Sequence, residues 1–221
     1  MAGQPSMQTQ ADRRDQHAGG ARHRPGLANL CVFLAVVGAT LAGDLASKHV
    51  VFASFLSDPS LGERIEGVEQ QTHQPADSKS VLDRLHLSEP FLPGINLTLS
   101  TNPGVVFGWA LPRKVVLIAS VVTMALVGFF FANSPRRAWA VHIGLGLVLA
   151  GAMGNLYDRL FSEVVLPGLE PIRYQVRDFI DASRLYYPYI FNLADAWLVI
   201  GVVLLVISSF GSSRAGKTGS A

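Results

Sequence analysis

Charge is what this chain has least of. Only 15% of its 221 residues are Asp, Glu, Lys or Arg, against about 25% in an ordinary soluble domain. A water-exposed surface needs charge to cover it, and with 49% hydrophobic residues the shortage points to a lipid-facing exterior. Cysteine is nearly missing too. Cys31 stands alone, which excludes an internal disulfide, and its place in the first apolar run reads as a packing position. The six histidines are scattered without a His-Glu-x-x-His spacing, so no zinc site is expected. No Gly-rich phosphate loop follows a strand. The basic residues do not cluster with aromatics, so no nucleic-acid partner is expected.

Long apolar runs fill the place of charge. A bilayer span takes about 20 mostly apolar residues, and four segments approach this: Leu27 to about Phe55, Val115–Ala132, Ala138 to about Tyr157, and Tyr189–Phe210. Val115–Ala132 has no charge in eighteen residues, which argues against buried helices of a soluble core. The expected fold class is an all-α membrane protein. It has four transmembrane helices and a small β-rich or loop element between helices 1 and 2. Residues 1–26 are polar and read as a disordered tail. Residues 27–210 form the four-helix domain, and 211–221 form a second tail. Leu27–Gly43 resembles a secretory signal, but no small-residue cleavage site follows, so it reads as an uncleaved first span. The insert at 57–95, with seven acidic residues and several Pro and Gly, is expected to hold little regular structure. Gly94–Ser100 alternates and reads as a short strand. Gly146, Ala150 and Gly154 recur every four residues, a stripe suited to close helix packing.

Four spans put both termini on one side, where eight basic residues lie, against nine on the other. Arg136 and Arg137 in a short turn favour the cytoplasm for the terminal side. Arg113 and Lys114 argue the other way, so charge alone leaves orientation open.

The polar residues within the spans converge. Asp44 and Lys48 end the first span, Asn155, Asp158 and Arg159 end the third, Asn192 and Asp195 begin the fourth, and Asn102 precedes the second. In an up-down-up-down bundle all fall at one membrane face. A carboxylate in hydrocarbon costs at least about 2.5 kcal/mol, so Asp195 needs a partner or a task. Asp44 and Lys48 are four apart and can neutralise each other on one helix face. Asp158 and Arg159 point apart, so each needs another partner. Asp178, in the loop between spans three and four, can return to the bundle mouth beside Asp195. Two carboxylates held close share a proton, one able to deprotonate water while the other protonates a carbonyl. That is amide hydrolysis without a covalent intermediate. Ser47 and Lys48 diverge by about 100° on a helix and cannot act together directly. Two other classes remain: a small proton or ion carrier relaying through intramembrane carboxylates, and a non-catalytic scaffold.

Five short motifs stand in order along residues 27–210: Asp44-Leu-Ala-Ser-Lys48, Asn102-Pro-Gly-Val-Val-Phe-Gly108, Gly154-Asn-Leu-Tyr-Asp-Arg159, Val176-Arg-Asp-Phe-Ile180 and Phe191-Asn-Leu-Ala-Asp195. Together they resemble the bacterial lipoprotein signal peptidases (signal peptidase II). The resemblance implies an intramembrane aspartyl endopeptidase that cuts the signal peptide from prolipoproteins just before a diacylglyceryl-modified cysteine. By motif match, Asp178 and Asp195 would be the catalytic pair. Asp44, Lys48, Asn102, Gly104, Asn155, Asp158, Arg159 and Asn192 would shape the site and hold substrate. It further implies a multi-pass protein of the bacterial inner membrane with both termini cytoplasmic and the site near the outer face. No metal or cofactor is implied. The implied partners are the lipid-modified substrate and membrane lipids, with no obligate protein partner. Three departures stand out. Val105 and Val106 replace small residues. The 57–95 insert is long, either a lid over the substrate or an ornament. Arg177 replaces an apolar residue before Asp178, either pointing inward to lower its pKa or snorkelling outward.

Overall fold

A computed structural model of the chain describes residues 24–72, 77–106 and 109–215. The expected disorder of the N-terminal tail falls largely on residues 1–23, outside the described residues, as do Phe107, Gly108 and the end of the C-terminal tail. The described residues are mostly helical, and among them are four helices long and apolar enough to cross a membrane and a small antiparallel sheet.

The spans are α1 (Leu27–Leu56), α4 (Arg113–Ala132), α5 (Trp139–Phe161) and α6 (Leu193–Ala215). Their apolar side chains point outward as well as inward: Leu34, Ile118, Val122, Phe129, Val202 and Val206 are all exposed. A helix apolar on every side suits lipid contact, not a water-facing surface. Cys31 is exposed among them. It lies on the outside of the bundle, not in its packing. α5 is the central helix, packed against α1, α4 and α6. The small-residue stripe explains how closely. A Cβ at Gly146 would meet Val36 and the Phe33 carbonyl of α1, and one at Gly154 would fall on the Asp44 carboxylate. Gly144 and Gly201 face each other's backbones between α5 and α6. The end of the bundle near the Arg136–Arg137 turn is closed by a buried polar latch. His142 there lies 3.2 Å from Asn29 through Nδ1 and 2.7 Å from Ser134 through Nε2.

At the opposite end sits a cap. α1 is 30 residues long, about 45 Å at 1.5 Å per residue, well beyond a ~30 Å hydrocarbon core. Its last turns carry Val51, Phe52 and Phe55 into a second hydrophobic core with Leu61, Val81 and Phe179. The described residues of the 57–95 insert carry regular structure where little was expected. They form α2 (Leu61–Thr72), α3 (Ser78–Leu85) and strand β1 (Ser88–Leu92). The apolar positions Leu61, Ile65, Val81, Leu82 and Leu85 recur at helical spacing and all point into this core. Asp77 caps α3 by accepting from the Lys79 and Ser80 N–H groups, and its bonds to Ser80 hold its carboxyl below the usual range. Ser78 Oγ donates to the Glu170 carbonyl at 2.5 Å, fastening the insert to the 158–188 segment.

The expected Gly94–Ser100 strand is β2 (Ile95–Asn102), inside a sheet ordered β1-β2-β7-β8, with β7 at Val176–Asp181 and β8 at Ile190–Phe191. Two short ribbons flank it: β3 (Val105–Val106) with β4 (Trp109–Ala110), and β5 (Glu163–Val164) with β6 (Ile172–Arg173). The segment expected as a loop around Asp178 is strand β7 (Val176–Asp181), antiparallel to β2 and to β8 (Ile190–Phe191). The fourth span thus starts later than Tyr189, because Ile190 and Phe191 are spent on the sheet.

Candidate active site

Sheet register brings the polar segments together. Ser100 of β2 faces Asp178 of β7, and Ile180 faces Phe191 of β8. The chain leaves β8 directly into Asn192 and the first turn of α6, so that turn begins beside Asp178. Asn192 and Asp195 then cap the helix reciprocally. The Asp195 N–H donates to Asn192 Oδ1 at 3.1 Å, and the Asn192 N–H donates to Asp195 Oδ2 at 3.3 Å. This is a capping box with Asn at the cap and Asp three residues on. It places a carboxylate at the positive end of the helix dipole.

Asn192 also ties the two acidic residues to each other. Its Nδ2 donates to Asp178 Oδ1 at 2.6 Å and to Asn155 Oδ1 at 3.1 Å. Asn155 Nδ2 in turn donates to Asp195 Oδ1 at 2.8 Å. Asn192 is fully buried and Asp178 is 3% exposed. Burial, and then the neighbouring Asp195 carboxylate, push Asp178 up to about 7, against the opposing hydrogen bonds of Asn192 and Asn102 and the Lys48 charge. Neutralisation by proton uptake is the usual response of a carboxyl taken out of water beside a like charge.

A charged layer lies beneath this pair. Lys48 Nζ donates to Asp44 Oδ2 at 2.8 Å and Asn155 Oδ1 at 3.2 Å, and reaches Asp158 Oδ2 at 3.1 Å. The ammonium thus makes two hydrogen bonds and two ion pairs, and Lys48, Asp44 and Asp158 are fully buried. Buried charges persist only when paired in this way. Asp44 Oδ1 accepts the Ala194 N–H at 2.9 Å, gripping the residue before Asp195. The pair expected between Asp44 and Lys48 is present, and it serves a larger cluster.

All ten residues singled out in the sequence lie at this end. Gly104 has φ +128°, a left-handed backbone position that favours glycine, and its N–H donates to Asn102 Oδ1 at 2.9 Å. Arg159 donates through Nη1 to the Asn155 carbonyl at 3.2 Å, and its buried Nε has no protein partner among the described residues. A cavity of about 840 Å³ runs past these groups. Asn102, Asn155, Arg159, Asp178 and Asp195 line its polar end, while Val116, Ala119 and Leu198 line an apolar stretch between α4 and α6.

Three contributions escaped the sequence. Lys79 and Asp83 of the insert line the outer part of the cavity, and nothing in their spacing marked them. Thr101 and Tyr187–Phe191 also line it. Arg177 pairs with Asp158, Nε at 3.0 Å and Nη2 at 2.7 Å from Oδ1. The signal for that pair was available, since each was an unpartnered charge of opposite sign.

Comparison with known proteins points one way. The model of the signal peptidase II family matches residues 36–211. The lipoprotein signal peptidase of Desulfitobacterium hafniense is 36% identical over 123 residues, covering 54% of this chain and 72% of that protein. Those of Caulobacter vibrioides and Teredinibacter turnerae are 35% and 34% identical, over 58% and 62% of this chain and 71% and 79% of theirs. Among solved structures, a bacterial membrane enzyme determined by the in meso method at 2.3 Å superposes with a TM-score of 0.59 over 88% of this chain and 94% of that one, at 19% identity, a likeness of fold. With residues 36–211, most of its length, matched by the family model, this chain belongs to the signal peptidase II family.

Proposed function

We propose that the protein is an intramembrane aspartic endopeptidase that removes the signal peptide from diacylglyceryl-modified prolipoproteins just before the lipidated cysteine, with Asp178 and Asp195 as its catalytic pair. The family and its named relatives support the peptidase activity and a prolipoprotein substrate, and they do not favour the ion-carrier alternative. The observation that carries the residue assignment is Asn192 bound to both carboxyls at the polar end of one cavity, its side-chain Nδ2 donating to Asp178 Oδ1 and its backbone N–H to Asp195 Oδ2.

In this reading the pair holds one proton near neutral pH. Asp178, buried and pushed up to about 7, is the member that holds it. Asp195 takes a proton from water as the oxygen attacks the scissile carbonyl, and Asp178 gives its proton to that carbonyl oxygen. Collapse of the gem-diol returns a proton to the leaving amine. Asn155 and Asn192 fix the carboxylates so that little reorganisation accompanies the step. Arg159, with its free Nε donor, and Asn102 sit where the peptide backbone would pass. The apolar stretch between α4 and α6 suits acyl chains entering from lipid, while the cap stays in water.

The finer placement follows from the same picture. Residues 27–210 form the peptidase domain and 57–95 its extracytoplasmic insert. The tails at 1–26 and 211–221 are cytoplasmic, in a bacterial inner membrane. The Arg136–Arg137 turn lies at the end of the bundle away from the cap, which supports a cytoplasmic position for that end. Incubating the pure protein with a diacylated precursor tests the activity. Mass spectrometry should find a product beginning at the modified cysteine. No shortening, or cutting elsewhere in the chain, would contradict the reading.

A further inference from the structure

Arg177 points neither into the cavity toward Asp178 nor out to water. Its side chain is 14% exposed and clamps Asp158, which is fully buried. Nε and Nη2 reach Asp158 Oδ1 at 3.0 and 2.7 Å, and the backbone N–H of Arg177 donates to Asp158 Oδ2 at 3.0 Å. The guanidinium lies 6.0 Å from the Phe52 ring centre, at the edge of the cap core. Three donors from one residue on one carboxylate fix both the strand and the side chain, a geometry open to arginine and not to lysine.

The clamp is the end of a longer string. Arg177, Asp158, Lys48 and Asp44 alternate in sign, each touching the next, and Asp44 ends on the Ala194 N–H. Arg177 is the peptide neighbour of Asp178, and Ala194 that of Asp195. The string therefore joins the two catalytic segments from below, with two positive and two negative charges.

We propose that Arg177 is a positioning residue of the peptidase: through Asp158 it seats strand β7 and sets where Lys48 lies, and so holds Asp178 in register with Asp195 and fixes the pH range in which the pair keeps one proton. This rests on the dyad reading above. The physical reason lies in how Lys48 is shared. Its ammonium is shared between hydrogen bonds to Asp44 and Asn155 and an ion pair with Asp158. Without Arg177, Lys48 is the one ion-pair partner left to Asp158 among the described residues, and a buried carboxylate short of charge draws that cation toward itself. Asn155 then loses part of its anchor, and Asn155 is what holds Asp195 Oδ1. The groups facing the pair are Lys48 and Asp44 from α1, Asn155, Asp158 and Arg159 from α5, Asn102 from β2 and Asn192 from the turn before α6, with Lys79 and Asp83 of α3 farther out on the cavity wall. Neutralising Arg177 leaves the string with one net negative charge. More negative surroundings hold the shared proton more tightly, so the pH at which the pair loses it moves upward.

The test compares Arg177→Met, which keeps an apolar stem beside Phe52, with Arg177→Lys, which keeps the charge but not the fork. Cleavage of a diacylated precursor peptide is followed across about pH 5 to 9, with thermal unfolding measured on each protein and Asp178→Asn run in parallel. Arg177→Met should lower kcat by about 10- to 100-fold with KM within about threefold, and move the alkaline limb of the rate profile up by roughly half a pH unit or more. Arg177→Lys should return the limb to its wild-type position while recovering only part of kcat. If Arg177→Met does not fold, that Lys pattern alone carries the test. An unmoved alkaline limb in Arg177→Met, or a kcat loss that merely tracks lost folded protein, overturns the proposal. So does an Arg177→Lys protein with wild-type kcat. If Asp178→Asn is inactive while Arg177→Met behaves as wild type, the positioning role alone falls. If Asp178→Asn cleaves normally, the dyad reading falls with it.

Discussion

Replacing Asp178 by Asn should produce a protein that is inactive and yet, at alkaline pH, harder to unfold. Asp178 is raised from 3.8 to about 7 by burial and by Asp195. A folded-state value above the unfolded one means that the native protein binds this proton more tightly. The stabilisation is fully present below about pH 4 and is lost as pH rises through about 7, as expected for a carboxyl kept neutral by its surroundings. The difference corresponds to about 4 kcal/mol across that window. Asn has the same shape, keeps an oxygen for the Nδ2 of Asn192, and never ionises, so it escapes this loss. The assay is thermal unfolding in detergent of wild type and Asp178→Asn at about pH 4.5 and pH 8, the two sides of the window. Relative to wild type, the variant should gain about 3 kcal/mol between the two, or roughly ten degrees for a domain of this size. A stability difference that does not change with pH would refute the burial of an ionisable carboxyl beside a second one.

Other expectations follow from single contacts. Asn192→Leu removes the side-chain amide that donates to the Asp178 carboxyl and accepts the Asp195 N–H, and should cut kcat by at least about 100-fold while changing KM little; steady-state kinetics on a precursor peptide would decide. Gly154→Ala drives a methyl into the Asp44 carboxylate and should cost about 1–3 kcal/mol by overpacking, read as a lower unfolding midpoint, whereas Gly38→Ala, with open space around it, should be neutral or stabilising. Leu82→Ala empties part of the cap core and should destabilise by about 2–5 kcal/mol; protease resistance of the 57–95 segment would report it, and an unchanged digestion pattern would argue that the insert is not anchored as described.

Much of the bundle was legible because lipid imposes a coarse rule. A span must be long and apolar, and all four runs met it within a few residues. The face on which the polar residues gather followed from alternating direction alone. What remained hidden depended on pairing between distant segments. Strand β7 alternates weakly, since Phe179 faces the cap core while Asp178 faces the cavity and Arg177 faces Asp158. Nothing local announces a strand whose two sides serve a core and a buried carboxylate. The start of α6 was readable: Asn192-Leu-Ala-Asp195 is a helix-start pattern, overlooked because the apolar run began earlier at Tyr189. The insert was misjudged by composition. Its acidic residues cover the outside of helices whose apolar positions, such as Leu61 with Ile65 and Val81 with Leu85, lie four apart on one face. Counting charge hid that periodicity. Lys79 and Asp83 reach the cavity through tertiary packing that no window of sequence contains.

The central claim is that Asp178 and Asp195 divide one proton and together hydrolyse the amide. Its most direct test is the turnover of a purified diacylated precursor by wild type, Asp178→Asn and Asp195→Asn, each verified as folded and membrane-inserted. Both variants should lose at least about 1,000-fold in kcat, as expected when either half of an acid–base pair is removed. Near-normal turnover by either one would contradict the account.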